Sequence, residues 1–219
     1  MSASIAAAFR AGEALVQRTD VDSWAIPLGL QRAKRARPLS RVDIAWHEAA
    51  HATVALALRV PLREIRVKRV LNAGGWALPR IFGPIAVRAF GRTPPAKLAA
   101  QMEARRVDKM ISFALAGACG DQIRVGACQG HDVDIAQAVD LALHQYDGRE
   151  DVDAQRRAFR RLFRARLRAG ELLILHEPAW GRIATALRTC DLLTGEDASA
   201  LFARRQPSAL TIPAKKRSK

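Results

Sequence analysis

The stretch W-H-E-A-A-H at 46–51 sets His47 and His51 four residues apart with Glu48 between them. On a helix, side chains at i and i+4 stand one above the other, so the two imidazoles can offer nitrogens to a single ion. Glu48 then sits beside that ion rather than on it. Hydrolysis uses this arrangement: a bound zinc lowers the pKa of a water, and an unligated carboxylate takes its proton and later hands it to a leaving amine. A catalytic zinc also needs a third protein ligand and an open position. The opposing interpretation, two hydrogen-bonded core histidines on an Ala-rich helix, gives no reason for a carboxylate between them.

The elements that must position these residues follow from the surrounding pattern. Asp43 is placed to cap a helix that ends near Arg59, because Pro61 disfavours helical geometry just before it. Ala45, Ala49, Ala50, Ala52 and Ala55 keep that helix slim around the histidines, and Val54, Leu56 and Leu58 anchor it. "LREIRVKRV" alternates apolar and charged residues with the period of a half-exposed strand. "NAGG" at 72–75 supplies a turn, and the prolines of "WALPRIFGPIAVRAF" fit an edge strand or loop. Pro94 and Pro95 can open one long helix through "AKLAAQMEARRVDKMISFALAGACGDQI". "HDVDIAQAVDLALHQY" is the next helix, with Asp132 or Asp134 in its first turn, where carboxylates suit the helix dipole. A helix over 151–175, another from Pro178 and a Thr-capped one in "LTGEDASALFARR" complete the chain. The expected fold is mainly α with a small β element (α+β) carrying a short edge strand or hairpin. The expected organisation is an N-terminal extension over 1–40 with a short helix before Asp20, one domain over 41–204, and a basic, disordered tail over 205–219.

Composition narrows the class. At 219 residues one sizeable core fits. No apolar run reaches membrane-span length, and the first residues do not read as a secretory signal, which gives the expectation of a soluble cytoplasmic protein. Cys119, Cys128 and Cys190 lack C-x-x-C spacing, so neither a disulfide framework nor a thiolate zinc site is expected. The formal charge of +15 draws in nucleic acid, anionic surfaces or acidic partners. It concentrates in "RRAFRRLFRARLR" at 156–168 and in the tail "PAKKRSK", read here as solvated surface.

At this level of detail the chain resembles a known family, the M41 peptidases, which are the zinc protease domain of FtsH-type ATP-dependent proteases. The resemblance spans about 41–204. "VDIAWHEAAHATVAL" is similar to the family's V-A-x-H-E-A-G-H-A-x-V-A helix, with Ala50 at a usual Gly. "VPLREIRVKRV" resembles its following strand and "GGWAL" the turn after it. "FALAGACGDQI" resembles L-G-G-R-A-A-E-E-L, with Ala118 at the Arg and Asp121 at a Glu. "GACQGHDVDIAQAVDLA" resembles G-A-x-N-D-L-x-x-A-T-x-x-A, and "LLTGEDASAL" the family's terminal segment.

The resemblance implies a zincin-like helical peptidase domain holding one Zn2+ per chain through His47, His51 and Asp134, with Glu48 as base. Helix geometry agrees on the third ligand: in a helix starting near Asp132, Ile135, Ala138 and Leu141 form a buried stripe, and Asp134 lies at its edge facing inward. Asp132, nearer the cap, is better placed to accept first-turn backbone N–H groups. Asp121 is a candidate to orient a ligating histidine through its free N–H, or else to cap or pair with an Arg. His131 before the helix reads as a capping or exposed group, His144 and His176 as structural, and Trp76 as a cleft wall or a cover over the strand.

The ATPase module and membrane spans of the family have no counterpart in this sequence. The expectation is therefore an ATP-independent peptidase acting on flexible or unfolded polypeptides, either unaided or delivered by a partner or an ATPase in trans. The strand at 62–70 would pair an extended substrate along its edge. The competing expectation is a basic nucleic-acid-associated or regulatory protein that keeps the peptidase fold. A third is a metallopeptidase of another H-E-x-x-H clan, whose third ligand is a downstream Glu or His.

Overall fold

A computed structural model describes residues 19–31, 39–67, 76–79, 96–128, 131–144, 146 and 151–204. Eight helices and three short strands follow one another among these residues. They are α1 (Val21–Ala25), α2 (Arg41–Ala57), β1 (Leu62–Arg66), β2 (Trp76–Pro79), α3 (Ala96–Ala114), α4 (Ala116–Val125), α5 (Asp132–Leu143), α6 (Val152–Leu175), α7 (Glu177–Thr189), β3 (Leu192–Thr194) and α8 (Gly195–Ala203). The mainly helical expectation with a small antiparallel sheet holds. No described helix is long and apolar enough to cross a membrane. The helix expected before Asp20, the turn at 72–75, the stretch after Pro79, the Pro94–Pro95 helix start and the tail 205–219 lie outside the described residues.

Helix α2 runs through the centre of the core. Ala45, Ala49, Ala50, Ala52, Val54 and Ala55 are all fully buried, so neighbours close on it from several sides. Its start differs from the sequence expectation. Ser40 is the N-cap, and Asp43 is the reciprocal partner three residues on: each side chain receives the other's backbone N–H. Arg59 ends the helix in a left-handed conformation (φ 56°), with the Val60 N–H reaching back to the Ala55 carbonyl.

The long helix expected from 96 onward is two helices meeting at Leu115. The backbone there opens to ψ −7°, while the hydrogen bonds Leu115 N–H to Ile111 O and Cys119 N–H to Leu115 O persist. The joint gives α4 its own direction against α2. The two helices run antiparallel: Arg124 donates to Asp43, Gly120 meets Ala50, and Gly117 meets His47 and His51.

The sheet order is β2-β1-β3, with both pairings antiparallel. The strand read as an exposed edge is thus the middle one, because residues 192–194, read only as the lead-in to a helix, form β3. Val21, Ala25, Leu28 and Leu30 are buried in the main core, so packed structure extends across the boundary drawn at residue 40. Trp180 of α7 closes the far side of α2, donating its indole N–H to the Trp46 carbonyl at 3.0 Å and meeting the Trp46 ring edge-on at 5.1 Å.

Candidate metal centre

Three helices bring four of the predicted residues together. His47 and His51 project from α2, Asp134 from the first turn of α5 and Asp121 from α4. Asp134 Oδ2 lies 3.0 Å from His47 Nε2 and 3.3 Å from His51 Nε2, and the two Nε2 atoms are 3.3 Å apart. The outer nitrogens are held from behind. His47 Nδ1 is 2.9 Å from Asp121 Oδ2, and His51 Nδ1 is 2.7 Å from the Phe113 carbonyl.

These outer contacts fix the chemistry of the inner atoms. A carbonyl and a carboxylate only accept, so both Nδ1 atoms carry the proton and donate. In the neutral rings each Nε2 then presents a lone pair inward. Three lone pairs, from His47 Nε2, His51 Nε2 and Asp134 Oδ2, converge within 4.8 Å of one another. Such a convergence is repulsive until a proton or a cation sits in it. The group could therefore hold a metal ion.

Burial and charge act accordingly on the titrating groups. Burial opposes the charge on His47, but the carboxylates of Asp121 and Asp134 outweigh it and lift its pKa well above the usual range. His51 is raised in the same way, with Asp134 overcoming the burial cost. Asp134, whose burial alone would raise it, is held far below the ordinary carboxylate range by His51 and His47. The protons thus occupy the position a cation would take.

Gly117 lets α4 approach both imidazoles closely. A Cβ there would lie 2.3 Å from His47 Nε2 and 2.4 Å from His51 Nε2. Any larger residue would have to displace one or both rings. One turn on, Gly120 lets α4 close on α2, since its Cβ would meet that of Ala50 at 2.7 Å. Glu48 is buried beside the cluster at 4% exposure, and its Oε2 has no hydrogen-bond partner among the described residues. Burial pushes its pKa up to about 7, against the pull of the two histidines. A nearby cation would draw it back down.

The remaining sequence candidates stand apart. His131 is neither an exposed group nor a side-chain cap: it occupies the N-cap position of α5 but is buried at 1% exposure, with no capping hydrogen bond. Helix α5 instead begins with Asp132 at its first turn, one position inside the cap expected of it. His144 follows α5 at the surface, and His176 joins α6 to α7 with its ring 4.9 Å from Phe202. Trp76 opens β2, paired with Arg66. The Cys119 and Cys128 thiols are buried, donate to the carbonyls of Arg166 and Ala118, and are pushed up to about 12, so they are inert at neutral pH. Sequence reasoning missed Gly117, Gly120 and the Phe113 carbonyl. The spacing G-A-C-G, two glycines at i and i+3 inside a helix, was the available signal.

In comparisons with known proteins, no family model and no curated protein matches the chain.

Proposed function

We propose that the protein is a zinc metallopeptidase acting on flexible or unfolded polypeptides, with His47, His51 and Asp134 as the metal ligands and Glu48 as general base. The observation that carries this reading is the convergence of the three lone pairs over Gly117, with an unligated, buried carboxylate next to them. Two imidazoles and one carboxylate are a catalytic zinc set, which leaves a fourth position open. When bound, zinc supplies a Lewis acid that makes a water acidic enough to lose its proton near neutrality.

The chain's own residues do the rest. Asp121 and the Phe113 carbonyl hold the two rings in the tautomer that points Nε2 inward, which fixes both ligand geometry and ligand basicity. Glu48, held in a dry setting without a competing hydrogen bond on Oε2, accepts the proton and returns it to the leaving amine. Strand β2 packs against α2 and is an edge strand among the described residues, where an extended polypeptide can pair through main-chain hydrogen bonds. Backbone pairing of this kind selects for extended conformation rather than for sequence.

The test combines metal analysis with digestion of an unfolded casein substrate, without nucleotide. The expected result is about one zinc per chain and digestion abolished by a chelator and restored by zinc. A zinc-loaded protein that digests no unfolded substrate, or digestion unaffected by chelation, refutes the proposal.

A further inference from the structure

Helix α6 has two apolar faces, and only one of them is covered. Ala158, Leu162, Ala165, Ala169 and Leu173 face the core and are buried. Roughly on the other side, Phe163 (40% exposed), Leu167 (42%) and Ile174 (67%) line up at helical spacing in solvent, extended by Leu175 (71%). Large apolar side chains in register on a solvated helix mark a binding face.

The charge beside that face is one-sided. Residues 155–168 contain seven Arg and no Asp or Glu, and the rest of the face to Leu175 adds one exposed carboxylate, Glu171. Arg161 pairs with Asp108, Arg156 with Asp153, and Arg157 with Asp151. Arg160, Arg164 and Arg168 are exposed, one turn apart along the apolar row, and have no ion-pair partner among the described residues. Three guanidiniums against the single carboxylate of Glu171 beside an apolar stripe call for an occupant that is both acidic and apolar.

We infer that the outer face of α6 docks an acidic amphipathic helix of a partner polypeptide, its apolar residues on Phe163, Leu167 and Ile174 and its carboxylates on Arg160, Arg164 and Arg168. Other occupants satisfy only part of the surface. A second copy related by a two-fold axis would set Arg row against Arg row. The chain's own terminal segments, 1–18 and 205–219, carry no net negative charge to meet it. A nucleic acid would engage the guanidiniums but leave the aliphatic Leu167 and Ile174 without a match. A membrane would need apolar side chains standing clear of their neighbours, whereas Phe163 and Leu167 are more than half covered. A helix ridge fits such a shallow row, and charge pairs along its flank fix register. The face is separate from the metal centre, so the inference is independent of the peptidase reading.

The experiment is fluorescence anisotropy with the full chain and a labelled synthetic peptide of about 18 residues, long enough to span the stripe, with Leu along one face and Glu beside it. The expected result is saturable binding that weakens at least about tenfold when the peptide's Leu and Glu positions are scrambled. It should weaken comparably in Phe163→Ser/Leu167→Ser and, separately, in Arg160→Gln/Arg164→Gln/Arg168→Gln. The two variants alter different side chains, so misfolding of one leaves the other to decide. Glu48→Gln, impaired only in the proposed chemistry, should bind like the wild type. Absence of binding, equal affinity for the scrambled peptide or an oligouridine, tighter binding to phosphatidylserine vesicles, or folded variants that bind normally would each overturn the inference.

Discussion

Replacing Gly117 by Ala tests the site without removing any proposed ligand. In an open helix this change stabilises by about 1 kcal/mol. Gly170 in α6 is such a position, with nothing within 4 Å of an added Cβ, so Gly170→Ala should gain roughly 0.5–1 kcal/mol. At Gly117 the same methyl would lie 2.3, 2.4 and 2.5 Å from His47 Nε2, His51 Nε2 and His47 Cε1, about 1 Å inside van der Waals contact. Neither ring can retreat freely. Asp121 holds one at 2.9 Å and the Phe113 carbonyl holds the other at 2.7 Å, and each of those bonds contributes about 1 kcal/mol. Overpacking of this kind costs about 1–3 kcal/mol. With a displaced ring included, the net loss is about 2 kcal/mol despite the gain in helix propensity. The effect on metal is larger, because the methyl displaces one or both of the rings whose Nε2 atoms the ion needs. Affinity should fall at least about 100-fold, or about 2.7 kcal/mol. Urea unfolding of metal-free protein and elemental analysis after dialysis measure the two effects separately. Wild-type zinc content in a folded Gly117→Ala protein would refute the dependence of metal binding on the placement of these two rings.

The other predictions concern groups around the same centre. Glu48→Gln should keep fold and zinc while losing digestion, and full activity in it would remove Glu48 as the base. Asp134→Ala should lose zinc and activity together, and undiminished zinc occupancy would reopen the choice of third ligand. Asp121→Asn should retain zinc but bind it about 10–100-fold more weakly, as read by competition with a chelating dye. Zinc affinity should rise with pH, because the folded pKa values of His47 and His51 are raised and the ion must displace their protons. Calorimetry in buffers of different ionisation enthalpy should show proton release at neutral pH, and none would contradict the lone-pair argument. In metal-free protein the same raised pKa values give stability that is fully present below about pH 6.5 and is lost as pH rises through the folded values; denaturation midpoints across that range check the sign.

How much of this was legible in the sequence depended on distance along the chain. His47, Glu48 and His51 were readable because helical spacing alone sets their relation. Asp134 was reachable because a buried stripe on its own helix told which way it faces. Asp121 was left open between three roles, since the choice rests on a contact made across 74 residues. The break at Leu115 was invisible, because no proline or cap signal marks it and both flanking bonds are of ordinary helical type. Strand β3 was missed because three residues carry too little alternation to register, and its formation moved β1 from the edge to the middle. The glycines of α4 were missed because their role depends on the helix placed against them.

The geometry of the centre follows from the register between α2 and α4, and that register has a visible cause. Arg124 in the last turn of α4 pairs with Asp43 in the first turn of α2, where Asp43 also completes the capping box. Ser40 and Arg124 together overcome the burial cost on Asp43 and hold its pKa low. From that anchored end the helices close in steps. Asp121 meets His47, Gly120 meets Ala50, and Gly117 meets both imidazoles. Each step uses a residue small or polar enough for close approach, and a side chain at either glycine would push the helices apart. Separation would break the His47–Asp121 bond, release the ring and leave its tautomer unspecified. The small residues are thus part of the same device as the proposed ligands: they set the helix spacing at which an aspartate on one helix can direct the lone pair of a histidine on the other.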